Sequence, residues 1–308
     1  MSSLPRLTLY DTTKQFIPVY WTYCGIGLFA FIANLFIVFI YLSSAQLRSR
    51  FTLFIGLAIA EGINGAAFLM AAGFKRTIRI ARLLMEDSFR TMYSYPRTLR
   101  SDCALQFENS LFVIGNQGPA MLSLALGIER FCAIRFPTTY RHFKEKMFHV
   151  LLILSAVICI TSLCVALYIG LVIEKDLLAS LPCTLSNAFG FTYTTFNYFF
   201  TAFGHTAGFI LNFAAFWIIQ NFKNIGRNSQ VIAKEIEQIR LMNFVSICSV
   251  IMVVIPNMFL YVTRFNFFTL DYVILGWLNC AFVSRSAFSL HLLGFRSPRF
   301  RQRVSEVG

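Results

Sequence analysis

Seven long apolar runs constrain this chain more than any other feature. They cover about residues 16–42, 51–73, 103–134, 147–173, 191–222, 239–262 and 270–295. A helix needs about 20 mostly apolar residues to cross the hydrocarbon of a bilayer. The runs lack the two-residue alternation of a membrane β-barrel, and only helices or closed barrels satisfy every backbone N–H and C=O group in lipid. The predicted fold class is therefore all-α, a membrane protein built as a seven-transmembrane helix bundle; after the last run, Ser297 and Pro298 read as an N-cap and first helical residue, so a short C-terminal amphipathic helix is expected as well. Composition agrees: of 308 residues 57% are hydrophobic and 13% charged, and the mean hydropathy is +0.64. A soluble domain of this length could not hide so much apolar side chain. No internal repeat or low-complexity linker divides the chain. A single domain is expected over 1–308, with a tail at 1–15, the bundle at 16–295 and a second tail at 296–308. The first residues lack the basic segment, apolar run and small-residue cleavage site of a signal peptide, so the first span is expected to direct its own insertion.

The formal charge of +13 does not point to nucleic acid, because the basic residues lie between the apolar runs rather than on one soluble face. It points to loops that meet lipid headgroups. With the N-terminus outside, 15 Lys and Arg fall on the cytoplasmic side and 11 outside. The inner set includes Arg48, the group from Arg130 to Lys146, Lys223, Lys234 and the tail from Arg296 to Arg303. Seven of the outer ones crowd the loop from Lys75 to Arg100, whose first half has the composition of an amphipathic helix lying on the membrane. In this orientation Cys103 and Cys183 are outside. Cysteines on that side readily pair, so the two are expected either to bridge or to stand as independent thiols. No Cys/His cluster or CxxC is present, so neither a metal nor a cofactor is expected.

The stretch SLALGIERFCAIRFPTTYRHFKEK, Ser123 to Lys146, sets an acid and a base side by side at the lower end of an apolar helix and runs into a basic loop. Two readings stand for Glu129 and Arg130. One is a lock, with Arg130 held in one state and released to a partner in another. The other is ordinary interfacial charge, with Arg130 snorkelling to headgroups.

These features together resemble the rhodopsin-like G-protein-coupled receptors, and among them the nematode serpentine chemoreceptors of the Srsx type or a related class. Asn34 in ANLFIVFIY, Glu61 in LAIAE, the acid–Arg–aromatic run Glu129, Arg130 and Phe131, and FRSPRFRQRV after the last span carry the likeness. There are departures. Val254 stands where a tryptophan precedes Pro256 by two residues in the family, and Ser289 and Leu290 stand where the seventh span has Asn-Pro. GNQGP, Gly115 to Pro119, reads as a break in the third span.

The resemblance implies a non-enzymatic receptor for a small extracellular ligand, coupled to a heterotrimeric G protein. It would be a multi-pass protein of the plasma membrane, sensory cilia included, with lipid as its remaining partner. Glu129, Arg130, Phe131 and Arg135 would form the coupling end. Ionisable groups inside spans are costly and usually paired. Glu61 and Arg285 are the clear cases, and a buried pair is expected, with Asn34 and Ser289 completing a polar network. Arg285 pointing elsewhere is the alternative. Glu108, Asn109, Phe112, Asn116, Asn197, His205, Tyr261, Tyr272 and Trp277 are candidates to line a ligand cavity among the outer halves of spans three, five, six and seven. Each is equally an interhelical hydrogen bond or aromatic filler. No lysine follows Lys234, which argues against an opsin, and Phe112 stands where amine receptors carry Asp. A seven-span ligand-gated channel or transporter with inverted topology is the competing function. No HExxH or GxSxG pattern supports an enzyme.

Overall fold

The computed structural model describes residues 9–45, 48, 51–70, 97–180, 183–224, 230–265 and 272–296. Most of the basic loop at 75–100 and the amphipathic helix expected after Arg296 lie outside the described residues. The described residues form α1 (Leu9–Leu42), α2 (Thr52–Phe68), α3 (Phe107–Arg135), α4 (Pro137–Tyr168), α5 (Leu185–Asn224), α6 (Gln230–Ser249, continuing through a π turn at Val250–Val254 into Ile255–Thr263) and α7 (Tyr272–Arg296). The only β structure among them is a pair of three-residue strands, β1 (Arg97–Leu99) and β2 (Leu178–Ser180). Among the described residues, five stretches are long and apolar enough to cross a membrane: Lys14–Leu42, Phe107–Arg135, Pro137–Ile173, Leu185–Asn221 and Met242–Thr263. Thr52–Phe68 and Val273–Phe288 are shorter apolar helices. The protein is a multi-pass, membrane-spanning helical bundle.

Packing places α3 against α2, α4 and α5, while α1 lies against both α2 and α7, and α6 joins α5 to α7. Small residues set the closest seam. A Cβ built on Gly208 of α5 would lie 2.7 Å from the Ser123 carbonyl oxygen, and one on Gly127 of α3 would lie 2.8 Å from the Gly208 carbonyl. Lipid is as apolar as the side chains, so helices associate through close backbone packing and interhelical hydrogen bonds. On α4, Ser155, Cys159, Ser162 and Ala166 recur at three and four residues and turn inward, while Val150, Ile153, Val157 and Ile160 are exposed on the lipid side.

Local sequence explains the helix ends and irregularities, and corrects two expectations. The basic loop expected after the third span is helical. Pro137 sits at the first helical position of α4, where its missing N–H costs nothing. Phe136 before it leaves the helical region at φ −130° and ψ 62°, as a residue preceding proline tends to. Arg141, Lys144 and Lys146 therefore ride on a helix. The GNQGP stretch does not break the third span, and α3 runs through it. Gly115 instead allows α2 to approach: its Cβ would fall 2.7 Å from Asn64 Cα. Proline does distort α6. Its ring cannot accept regular packing against the preceding turn, and the π turn at Val250–Val254 lies directly ahead of Pro256. Gly190 turns α5 near its start, at φ 80°, a conformation only glycine takes without strain.

Candidate functional site

At one end of the bundle, β1 and β2 pair antiparallel with Thr98 opposite Ala179. The short turn Arg100–Ala104 follows β1 and carries Cys103. A disulfide joins Cys103 to Cys183, with Cα atoms 5.2 Å apart, and buries both residues. Arg100 forms an ion pair with Glu174 at the end of α4, and burial pulls its guanidinium below its ordinary pKa. The chain from β2 into α5 is thus tied to the top of α3.

Beneath this cap lies a cavity of about 360 Å³. Phe112 and Asn116 of α3 line it. Its remaining wall comes from Phe16, Tyr20 and Tyr23 of α1, Phe68 of α2, Thr184 and then Leu185, Ser186 and Tyr198 of α5, Pro256, Asn257, Leu260, Thr263 and Arg264 of α6, and Leu275, Gly276, Asn279 and Phe282 of α7. Sequence reasoning missed α1 altogether, along with Asn257, Arg264 and Asn279. The spacing 275, 276, 279, 282 is a helical face, which could have been read once one member was known.

The other candidates lie elsewhere. Trp277 falls off the α7 face that lines the cavity and is exposed. Tyr261 lies between Phe199 and Phe265, its ring tilted against both, with centroids at 6.3 and 5.1 Å. Glu108 and Asn109 are buried near the cap, where Asn109 Nδ2 donates to the Cys103 carbonyl at 2.8 Å. Asn197 and His205 sit on the buried face of α5, the side that packs on α3. Asn197 Oδ1 accepts from Gln117 Nε2 at 2.9 Å, and Gln117 also reaches Tyr193, which meets Ser162 of α4. Neither ring nitrogen of His205 has a hydrogen-bond partner among the described residues. The side chain of Tyr272 lies outside the described residues.

Mid-bundle, Glu61 of α2 and Arg285 of α7 form an ion pair and are 0% and 5% exposed. Arg285 Nε donates to Ser249 Oγ of α6 at 2.7 Å, and its Nη2 lies 3.4 Å from Ser123 Oγ of α3. Ser286 donates to the second Glu61 oxygen and accepts from Asn64 Nδ2 at 3.0 Å. Asn34 Nδ2 donates to the Ser286 carbonyl at 3.0 Å and to the Ala30 carbonyl at 2.8 Å, so it braces the pair through the backbone of α7. The side chain of Ser289 lies outside the described residues. Ser286, directly after Arg285, is the serine that meets Glu61. The network joins α1, α2, α3, α6 and α7.

At the far end of α3, Glu129 is buried and Arg130 Nε lies 3.1 Å from its Oε2. Tyr140 of α4 donates its hydroxyl to Glu129 Oε1, a partner the sequence did not suggest. The helical start of α4 at Pro137 brings Tyr140 there. Phe131 is half-buried, and Arg135 is exposed, its guanidinium 5.7 Å from the Phe136 ring centre.

The class these observations define is a multi-pass α-helical membrane protein, with a disulfide-tied cap over a cavity at one end and a buried glutamate paired with an arginine at the other. The sequence model of the family described as serpentine type 7TM GPCR chemoreceptor Srsx matches residues 87–307, and the chain belongs to that family. The match spans the cap and α3 to α7. No curated protein matches the chain at a significant level. Membership makes this a GPCR-like chemosensory protein, with ligand and G protein as partners of the family in general, and not an enzyme. Among the described residues no group of three or more His, Cys, Asp or Glu is placed to hold a metal.

Proposed function

We propose that this chain is a seven-span receptor of the plasma membrane, N-terminus outside, that binds a small extracellular ligand in the capped cavity and activates a heterotrimeric G protein at the Glu129–Arg130 end. The observation that carries the reading is the opposition of two features on one helix. Phe112 and Asn116 line the cavity, and Arg130 lies 14 residues beyond Asn116, about 21 Å along α3. A disulfide at the cavity end suits an oxidising exterior. Arg48, Arg135, Arg141, Lys144 and Lys146 at the opposite end suit the cytoplasmic face.

In the mechanism, ligand bound among α3, α6 and α7 favours one arrangement of α6 about its π turn and Pro256. Such irregular turns are where helices bend. The polar network through Ser249 and Arg285 couples that motion to α7 and α2. The inner end then opens, Arg130 leaves Glu129, and a helix of the G protein enters the groove. The unbroken α3 and the pairing of Arg285 with Glu61 weigh against the channel reading. The first test is topological. Tags at the two termini should be reached by antibody outside and inside respectively, and the reverse result refutes the reading. Arg130→Ala should then abolish receptor-dependent nucleotide exchange on the G protein while surface expression persists.

A further inference from the structure

We propose that the outer cavity is selective for small monocarboxylic acids, with the ligand carboxylate on Arg264 and its apolar body against the aromatic wall. This rests on the reading of the cavity as the ligand site. Arg264 ends α6 and lines the cavity together with Ser186 and Tyr198. Its Nη1 donates to Ser186 Oγ at 3.0 Å, and the guanidinium lies 5.2 Å from the Phe191 ring centre and 5.5 Å from that of Tyr198. Those two rings flank the guanidinium. Among the described residues no carboxylate pairs with it, and no Asp, Glu, Lys or His lines the cavity.

A guanidinium carries five N–H donors in a geometry that matches a carboxylate. Ser186 takes one, which leaves donors for a second, anionic acceptor. One fixed cation in a largely apolar cavity favours a single negative charge and opposes a cationic ligand. The rest of the wall sets the body of the ligand. Tyr23, Phe68, Phe112 and Phe282 form an aromatic cluster, with the Phe68 and Phe112 rings edge to face at 4.9 Å. A cavity of about 360 Å³ is at the small end of the range for ligand sites. Asn116 lines the same cavity, while Asn257 and Asn279 spend their Nδ2 groups on carbonyls of their own helices, at 2.8 and 3.1 Å.

The test uses the full chain purified into lipid nanodiscs, without G protein, so that coupling does not enter. The probes are 3-phenylpropanoic acid, 3-(4-hydroxyphenyl)propanoic acid and octanoic acid, each with its methyl ester and the corresponding primary amine. The readout is the concentration-dependent rise in Tm that ligand binding produces. The acids should stabilise the protein and the esters and amines should not. Arg264→Gln should weaken the response about tenfold or more, the loss of a charge-assisted hydrogen bond, and Arg264→Lys should keep part of it. Leu275→Trp, which fills the cavity, should abolish it, and Asn116→Trp does the same from the opposite wall if the first variant does not fold.

Stabilisation by no acid up to millimolar concentration overturns the proposal, as does an unchanged response in Arg264→Gln. Esters or amines that stabilise as well as the acids, and lose the effect in Leu275→Trp, overturn the acid class while leaving the cavity as the ligand site. Acid stabilisation that survives the filled cavity overturns both.

Discussion

Removing one partner of the Glu61–Arg285 pair should harm the protein far more than removing both. Glu61 has no exposed surface and Arg285 only 5%, so neither charge has water to fall back on. Arg285→Met leaves the Glu61 carboxylate with the Ser286 hydroxyl and no countercharge, and Glu61→Leu takes the carboxylate from a guanidinium that also donates to the hydroxyls of Ser249 and Ser123. Each single change strands one buried charge, which costs about 3–5 kcal/mol. The double variant Glu61→Leu/Arg285→Met strands no charge. It leaves the Ser286 and Ser249 hydroxyls short of a partner, at about 1 kcal/mol each. The double should therefore sit about 1–3 kcal/mol below the parent and above both singles. At about 2–4 °C per kcal/mol, the singles should melt at least about 6 °C below the parent and the double should recover part of that loss. Retention of a monodisperse size-exclusion peak after heating in detergent reads this out. A double variant no more stable than the worse single would refute the reasoning, because it would mean that the two groups do not offset each other's burial.

The remaining predictions concern the two ends. Tyr140→Phe removes the hydroxyl that holds Glu129. It should raise ligand-independent G-protein activation about tenfold or more, the worth of one hydrogen bond to a charged group, with surface expression unchanged; lowered basal activation in a nucleotide-exchange assay would contradict the lock. Cys103→Ser opens a bridge between residues 80 apart in sequence. Chain entropy sets about 4.5 kcal/mol as the ceiling of that loss. Inserted helices already confine the open chain, so melting should fall by less, while ligand response at the cap should fall more; an unchanged response would separate the cap from the cavity.

The chain's apolar run lengths determine its class. Backbone groups in lipid leave a run such as 147–173 no option but helix, and the runs were legible for that reason. Glu129, Arg130, Glu61 and Arg285 were legible as well, because a charge in an apolar run is conspicuous and has to be compensated. The two local expectations that failed both involved proline. Pro137 starts a helix where basic composition suggested a loop, and Pro119 lies inside an unbroken α3. A proline restricts its own φ and the residue before it, but whether it begins, bends or interrupts a helix depends on what packs around it.

Identity of partners was decided only in three dimensions. Ser286 meets Glu61, Tyr140 meets Glu129, and Gln117 meets Asn197, each across a helix interface. The cavity shows the same division most clearly. Asn197 and His205, polar groups in an apolar run, read equally as ligand contacts or as interhelical packing. Gly204 and Gly208 let α3 close against that face of α5, where both are buried. Arg264 looked like one more loop charge until Ser186, Phe191 and Tyr198 enclosed it at the cavity mouth. The sequence determined that there would be helices in a membrane, because that follows from each run and its solvent alone. Which face of each helix turns inward, and so which polar residues meet a ligand or each other, follows from the rotation and spacing of neighbouring helices, and those are properties of the assembled bundle.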